Sequence, residues 1–223
     1  MRPSARPFRV AGVGATLAVA LLAGSLLAGT MLGRGDHQWA EGATHHGWTT
    51  VFTGYGTVGG DQSHITLDPR AADAAGATHG ALVVSREQFG DLRTQATITT
   101  LAQHRTDRPN PWEVGWFLWH YTDRSAFYAV VVKPTGWEIS KQDPAYPGAQ
   151  RFLASGTTPT FPVGVAHTVV VTQRGATFTV TADGRQLATV TDTERPYRRG
   201  AVGLYSEDAK AVFTNLITAG DSI

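Results

Sequence analysis

Two carboxylates set among aromatic rings are the part of this chain best equipped for chemistry. Glu113 and Glu138 lie in the stretch 112–141, together with Trp112, Trp116, Trp119, Tyr121 and Trp137. Hydrolysis of a glycosidic bond needs two carboxyl groups, about 5 Å apart when configuration is retained and roughly 6.5–9.5 Å apart when it is inverted. Flat rings supply the complementary feature, because the C–H face of a sugar stacks on an aromatic side chain, and a cluster of exposed rings is unfavourable unless something covers it. If Trp119 faces a ligand, the period of two along a strand puts Glu113 and Tyr121 on its side. Glu138 can face the same way from a neighbouring strand. Trp119 and Tyr121 are then the platform, Lys133, Trp137 and Arg151 complete the ligand-binding set, and Glu113 and Glu138 are the candidate acid and base. The competing reading makes both Glu residues rim charges paired with Lys133, Lys141 or Arg151, and puts half or more of the rings in a core, Trp116 first among them.

The elements that must position these residues are strands. Trp112–Tyr121 is bulky on both alternating faces, so one face meets a core and the other is predicted to be an aromatic-lined, concave surface. A turn at Thr122–Ser125 leads to Phe127–Lys133, β-branched at its centre. Pro134-Thr135-Gly136 turns the chain again into Trp137–Lys141. The pattern is β throughout from Trp48, with further strands expected at Trp48–Thr53, His64–Leu67, Gly80–Ser85, Asp91–Ala102, Arg151–Ala154, His167–Gln173, Thr177–Ala182, Gln186–Thr191, Ala201–Tyr205 and Ala211–Thr218. Asp183-Gly184 is a hairpin signal. Asp68–Thr78, with its alanines, could form one short turn. Gly54–Gly60 follows a strand but precedes no helix, so it reads as a flexible loop and not as a phosphate cradle. Many antiparallel strands need a second apolar layer, which predicts an all-β, two-sheet antiparallel sandwich.

Certain residues resemble a known family. Gly115-Trp116-Phe117-Leu118-Trp119, then Tyr121, an Asp-containing turn and Phe127-Tyr128, is similar to the central strands of concanavalin A-like jelly rolls. The ending Gly200-Ala201-Val202-Gly203-Leu204-Tyr205 followed by Val212-Phe213-Thr214-Asn215-Leu216 resembles the closing strands of laminin G-like domains and of the 3-keto-disaccharide hydrolase domain related to family 16 glycoside hydrolases. The resemblance spans roughly residues 48–218 and implies a jelly roll with a carbohydrate-facing concave sheet. The two-Glu signature of family 16 enzymes, E-x-D-x-(x)-E, is absent from the sequence. A structural calcium, which jelly rolls often hold, has its candidate contributors in Gly54–Asp61 and Asp208. No other cofactor is expected.

Composition bounds the remaining possibilities. The 223 residues suit one domain with a core of its own. Arg2, Arg6 and Arg9 precede an uncharged apolar run from Val10 to Leu32. This is an export signal, either cleaved or retained as an anchor helix, with the remainder outside. The expected organisation is therefore 1–35 signal or anchor, 36–47 polar linker and 48–223 sandwich. Four of the 19 basic residues and none of the 18 acidic ones precede residue 35, so the exported part carries 15 against 18, a net charge of −3. That balance and the lack of a basic patch argue against nucleic acid as a partner. With no cysteine, disulfides and thiolate metal sites are excluded. His37, His45 and His46 fall in the linker without a metal-binding spacing, and no serine sits in a nucleophile-elbow context. Three functions are compatible with these residues. The first is an exported or membrane-anchored module binding glycan or another cell-envelope component. The second is a glycoside hydrolase using Glu113 and Glu138, and the third a structural or protein-interaction domain.

Overall fold

The computed structural model describes residues 37–74, 76–105 and 107–222. The predicted export segment lies outside them. The described residues contain no α-helix, and so none long and apolar enough to cross a membrane. In chain order the strands are β1 His37–Gln38, β2 Thr44–His45, β3 Trp48–Phe52, β4 Thr57–Gly60, β5 His64–Asp68, β6 Gly80–Gln103, β7 Gly115–Asp123 and β8 Ala126–Lys133. They continue with β9 Gly136–Gln142, β10 Gln150–Gly156, β11 Ala166–Arg174, β12 Thr177–Ala182, β13 Arg185–Thr191, β14 Gly200–Glu207 and β15 Ala209–Ser222. All pairings are antiparallel.

The strand β6 belongs to both layers of the sandwich. Its first half, up to Phe89, pairs with β3 on one side and β14 on the other, and the layer continues through β7, β8 and β9 to β10. Its second half, from Leu92, pairs with β15 and β11, and that layer extends through β5, β4 and β1 at one end and β12 and β13 at the other. The sequence predicts two strands here, at 80–85 and 91–102, because Arg86-Glu87-Gln88 interrupts the apolar alternation. Backbone pairing runs through that interruption, so the two are one bent element.

Alternation along each strand fills the space between layers. Val83, Phe117, Trp119, Tyr128, Val130, Ile139, Val202 and Leu204 from the first layer meet Ile65, Leu67, Leu92, Ile98, Val169, Val171, Phe178 and Phe213 from the second in one buried cluster. A second, smaller cluster covers the other face of the first layer: Leu82, Leu118, Tyr121, Ala129 and Ala201, with Phe52, Trp116, Phe127 and Tyr205 packed against it.

One local expectation changes. Residues 36–47 are predicted to be a linker, but they carry β1 and β2, and Trp39 between them is 1% exposed and stacks on His45 at 5.1 Å. One ring in a polar stretch has no period to reveal it. In the alanine-bearing segment 68–78, Ala77 N–H donates to Ala74 O at 3.0 Å and closes one short turn. Asp208 Oδ1 accepts N–H bonds from Ala72 at 2.8 Å and His79 at 3.2 Å, which pins the segment to the end of β14.

Candidate functional site

The outer face of the β3–β6–β14–β7–β8–β9–β10 layer is built from three rows of side chains set by the strand register. One row reads Phe52, Leu82, Tyr205, Trp116, Val131, Glu138, Ser155. The next reads Val84, Gly203, Leu118, Ala129, Ser140, Phe152. The third places Ala201 beside Tyr121, and Phe127 beside Gln142 and Gln150. The middle row is low, with glycine, alanine and serine in it. Leu118, Ala129 and Ser140 are nearly water-free because the taller rings on either side shield them. The face is thus a trough with an aromatic wall.

The rings of that wall touch. Trp116 meets Tyr205 edge-on at 5.2 Å and Tyr205 meets Phe52 at 6.4 Å, while Arg124 lies over Phe52 at 4.9 Å. The Tyr205 ring packs on Gly80, where a Cβ would come within 2.4 Å of it. The Trp116 indole N–H donates to Trp112 O at 2.8 Å. On the opposite wall Tyr121 stacks on Phe127 at 5.9 Å. At the end of the first row Lys133 donates to Glu138. Beyond Tyr205 on the same side of β14 is Glu207, which accepts from the Tyr205 hydroxyl at 3.3 Å. Burial, with Asp208 and Glu113 near it, pushes the Glu207 carboxyl up to about 7. Burial beside Glu207 also raises the Tyr205 phenol.

The predicted site residues are divided by this geometry. Trp119 is not a platform: it is fully buried between the layers, stacked on Tyr128 at 5.3 Å and edge-on to Phe178 at 5.2 Å, and its indole N–H donates to Gln173 Oε1 at 2.7 Å. Trp137 is also a core residue, and its N–H donates to Thr158 O at 3.0 Å. Trp116, expected in the core, faces outward. A strand apolar on both sides does not declare which side is the core. Tyr121 does reach the outer face, but by departing from the alternation. His120 takes a φ of 49° at a bulge, which moves Tyr121 to the side opposite Trp119. Of the remaining predicted residues, Lys133 and Glu138 lie on the outer face. Arg151 lies at the layer's edge, 3.0 Å from Glu194 and over Tyr146.

Glu113 does not oppose Glu138 across a cleft. It is fully buried, taking Arg105 Nε at 3.0 Å and Asn110 Nδ2 at 2.8 Å, and burial raises its pKa. Arg105 extends to Asp208 Oδ2 at 2.9 Å, so one guanidinium joins two buried carboxylates. Asp208 therefore holds an arginine and two amides, while Asp61 caps its own turn through Ser63. No group of three His, Asp or Glu among the described residues is placed to hold a metal ion.

Sequence reasoning missed Phe52, Tyr205 and Glu207. The available signal was the alternation Gly203, Tyr205, Glu207 against Val202, Leu204, Ser206. Ending the predicted strand at Tyr205 hid it.

The chain has the concanavalin A-like jelly-roll fold. Among solved structures it is similar to the carbohydrate binding module CBM66 from Bacillus subtilis, with a TM-score of 0.55 at 20% identity over 78% of this chain and 96% of that one. It is also similar to the exoplasmic/lumenal domain of VIP36 in its Ca²⁺/Man3GlcNAc-bound form, with a TM-score of 0.54 at 12% identity over 79% and 85%. A third is the Bacillus licheniformis β-glucanase, with a TM-score of 0.53 at 11% identity over 84% and 98%. No protein-family model matches the sequence, and no curated protein matches it.

Proposed function

We propose that this protein is a carbohydrate-binding module and that the trough on its outer face is the binding surface. The observation that carries the reading is the row Phe52–Tyr205–Trp116 leading to Glu138 and Lys133: contiguous rings ending in a charged pair, beside a floor of small residues. From β3 to β9 the row crosses five inter-strand gaps, roughly 24 Å at the spacing of a sheet, which suits an extended chain of sugar rings. Trp116 and Tyr205 stack on sugar C–H faces, and Glu138, Lys133 and Gln142 bond to hydroxyls. The likeness to a carbohydrate binding module and to a domain named in complex with a mannose-containing glycan supports this reading.

A hydrolase is the weaker alternative. Glu207 and Glu138 share the face but stand three inter-strand gaps apart, about 14 Å at sheet spacing, against the roughly 6.5–9.5 Å that an inverting pair needs. For compartment, the basic start and the apolar run at Val10–Leu32 support export, with the module secreted or held on the outer side of the cytoplasmic membrane and a cell-envelope glycan as partner.

Glycan-array screening followed by calorimetry tests the reading. Trp116→Ala is expected to lower affinity at least tenfold without unfolding the protein, and Glu138→Gln to lower it less. Full affinity in Trp116→Ala would remove the trough as the site.

A further inference from the structure

The turn between β7 and β8 carries a cation to the trough. Phe52 stands on β3, and β6 and β14 separate β3 from β7. Arg124, in that turn, nevertheless lies 4.9 Å from the centre of the Phe52 ring. The turn therefore arches back over the outer face instead of pointing away from the sheet. Asp123 fixes its shape, because Asp123 Oδ1 accepts from Ser125 N and from Ser125 Oγ, both at 2.7 Å. Burial raises the Tyr121 phenol and Arg124 pulls it back down, so the guanidinium also stands near the opposite wall.

Arg124 differs from the other cations of this layer. Lys133 donates to Glu138, and Arg151 is held by Glu194 at 3.0 Å. Asp123, next to Arg124 in sequence, is occupied by its own turn. Among the described residues Arg124 has no carboxylate or carbonyl partner, and it is exposed. A guanidinium stacked on a ring uses its flat face, which leaves the N–H groups at its edge for an acceptor. Arg198 and Arg199 are exposed as well, and they lead into β14 where Ala201 pairs with Tyr121. Positive charge thus collects at this end of the face, although residues 35–223 carry 15 basic against 18 acidic side chains. Such a local field draws anions to an otherwise acidic domain. A sugar hydroxyl would be served as well by an amide, whereas an unpaired guanidinium matches a carboxylate or a phosphate.

On the reading of the trough as the glycan surface, we propose that Arg124 determines its specificity and selects glycans that carry an oxyanion, a uronate carboxylate or a phosphate. The sugar rings lie on Trp116 and Tyr205, and the anionic group meets the edge of the guanidinium above Phe52.

Calorimetry on the protein with matched pairs of oligosaccharides tests the proposal: oligogalacturonates against their methyl esters, and phosphorylated oligomannosides against the dephosphorylated forms. The charged member of one pair is expected to bind about tenfold tighter, and the pair that responds identifies the anion. The preference is expected to shrink as salt rises. Arg124→Gln is expected to bring the ratio of charged to uncharged affinity close to one. Arg124→Lys, which keeps the charge and loses the fork, is expected to retain part of the preference. Both variants are expected to melt with the parent protein, since Arg124 is exposed in a turn. Equal affinity within both pairs, or a preference that survives Arg124→Gln, would overturn the proposal and leave the trough in place. A preference lost in Arg124→Gln but untouched by Trp116→Ala would keep the anion site and remove the trough as the glycan surface. Absence of binding to all four would overturn both.

Discussion

Glu207 and the two outward- and inward-facing tryptophans show how much a single side chain's environment decides. Burial holds the Glu207 carboxyl up to about 7, against an ordinary value of 4.5. A carboxyl raised in the folded state stabilises the fold fully below pH 4.5, and that contribution is lost as pH rises toward 7. Glu207→Gln removes the titration, so its melting temperature relative to the parent protein is expected to increase between pH 4.5 and pH 8. A constant difference would show that Glu207 does not titrate in that window. Trp119 and Trp116, three residues apart on β7, are expected to separate stability from binding. Trp119→Ala empties a core site and strands the Gln173 amide, at about 3–5 kcal/mol by urea denaturation, whereas Trp116→Ala costs less than half as much and acts on ligand affinity. The identity of these residues was legible in the sequence, but their roles were exchanged. Nothing in a run of Trp116-Phe117-Leu118-Trp119 marks the inner face, and the bulge at His120 depends on contacts far away, its ring lying 2.8 Å from Gly90 O and 2.9 Å from Tyr197 O.

At the scale of elements, two buried charge groups tie loops to strand ends. Lys141 on β9 is fully buried and donates to Asp192 Oδ2, Glu194 O and Arg195 O, each at 2.7 Å. Tyr128 on β8 donates to the same carboxylate at 2.7 Å, and Tyr197 N donates to the Tyr128 oxygen at 2.9 Å. The 192–197 segment is thereby strapped across the ends of β8 and β9. Removing one partner leaves the other buried and charged, so Lys141→Ala is expected to destabilise by about 3–5 kcal/mol. The double variant Lys141→Met, Asp192→Leu is expected to recover part of that in chemical denaturation. Arg105 performs the same task at the other end of the layer, between Glu113 and Asp208. Strand positions were largely readable, because alternation and turn residues are local. These straps were not, since Lys141 and Asp192 are 51 residues apart and each alone reads as a surface charge.

For the molecule as a whole, these carboxylates give an unusual pH profile. Burial works to raise Asp143 and Asp192, but Arg195 and the buried Lys141 outweigh it and hold both below 3.8, while bonds from Ser125 lower Asp123. Their stabilisation is present above pH 3.8 and is lost as pH falls through their folded values. Glu113 and Glu207 act in the opposite direction, losing theirs as pH rises above 4.5. Burial lowers the His120 pKa from its usual 6.5, so its contribution is present above pH 6.5 and is lost as pH falls. Thermal melting is therefore expected to decline both toward pH 2 and above pH 7, and a melting temperature that rises continuously from pH 4 to pH 9 would contradict this balance. The sequence by itself determined an antiparallel β-sandwich, because period-two alternation, glycine and proline turns and strand length act over a few residues. Only the tertiary structure decided which rings face outward, that Glu113 is an internal ion-pair partner, that Trp39 belongs to the core and that Tyr205 and Glu207 join the trough. Each of those depends on strand register and on partners distant in the chain, and register is set when two apolar faces are buried against each other.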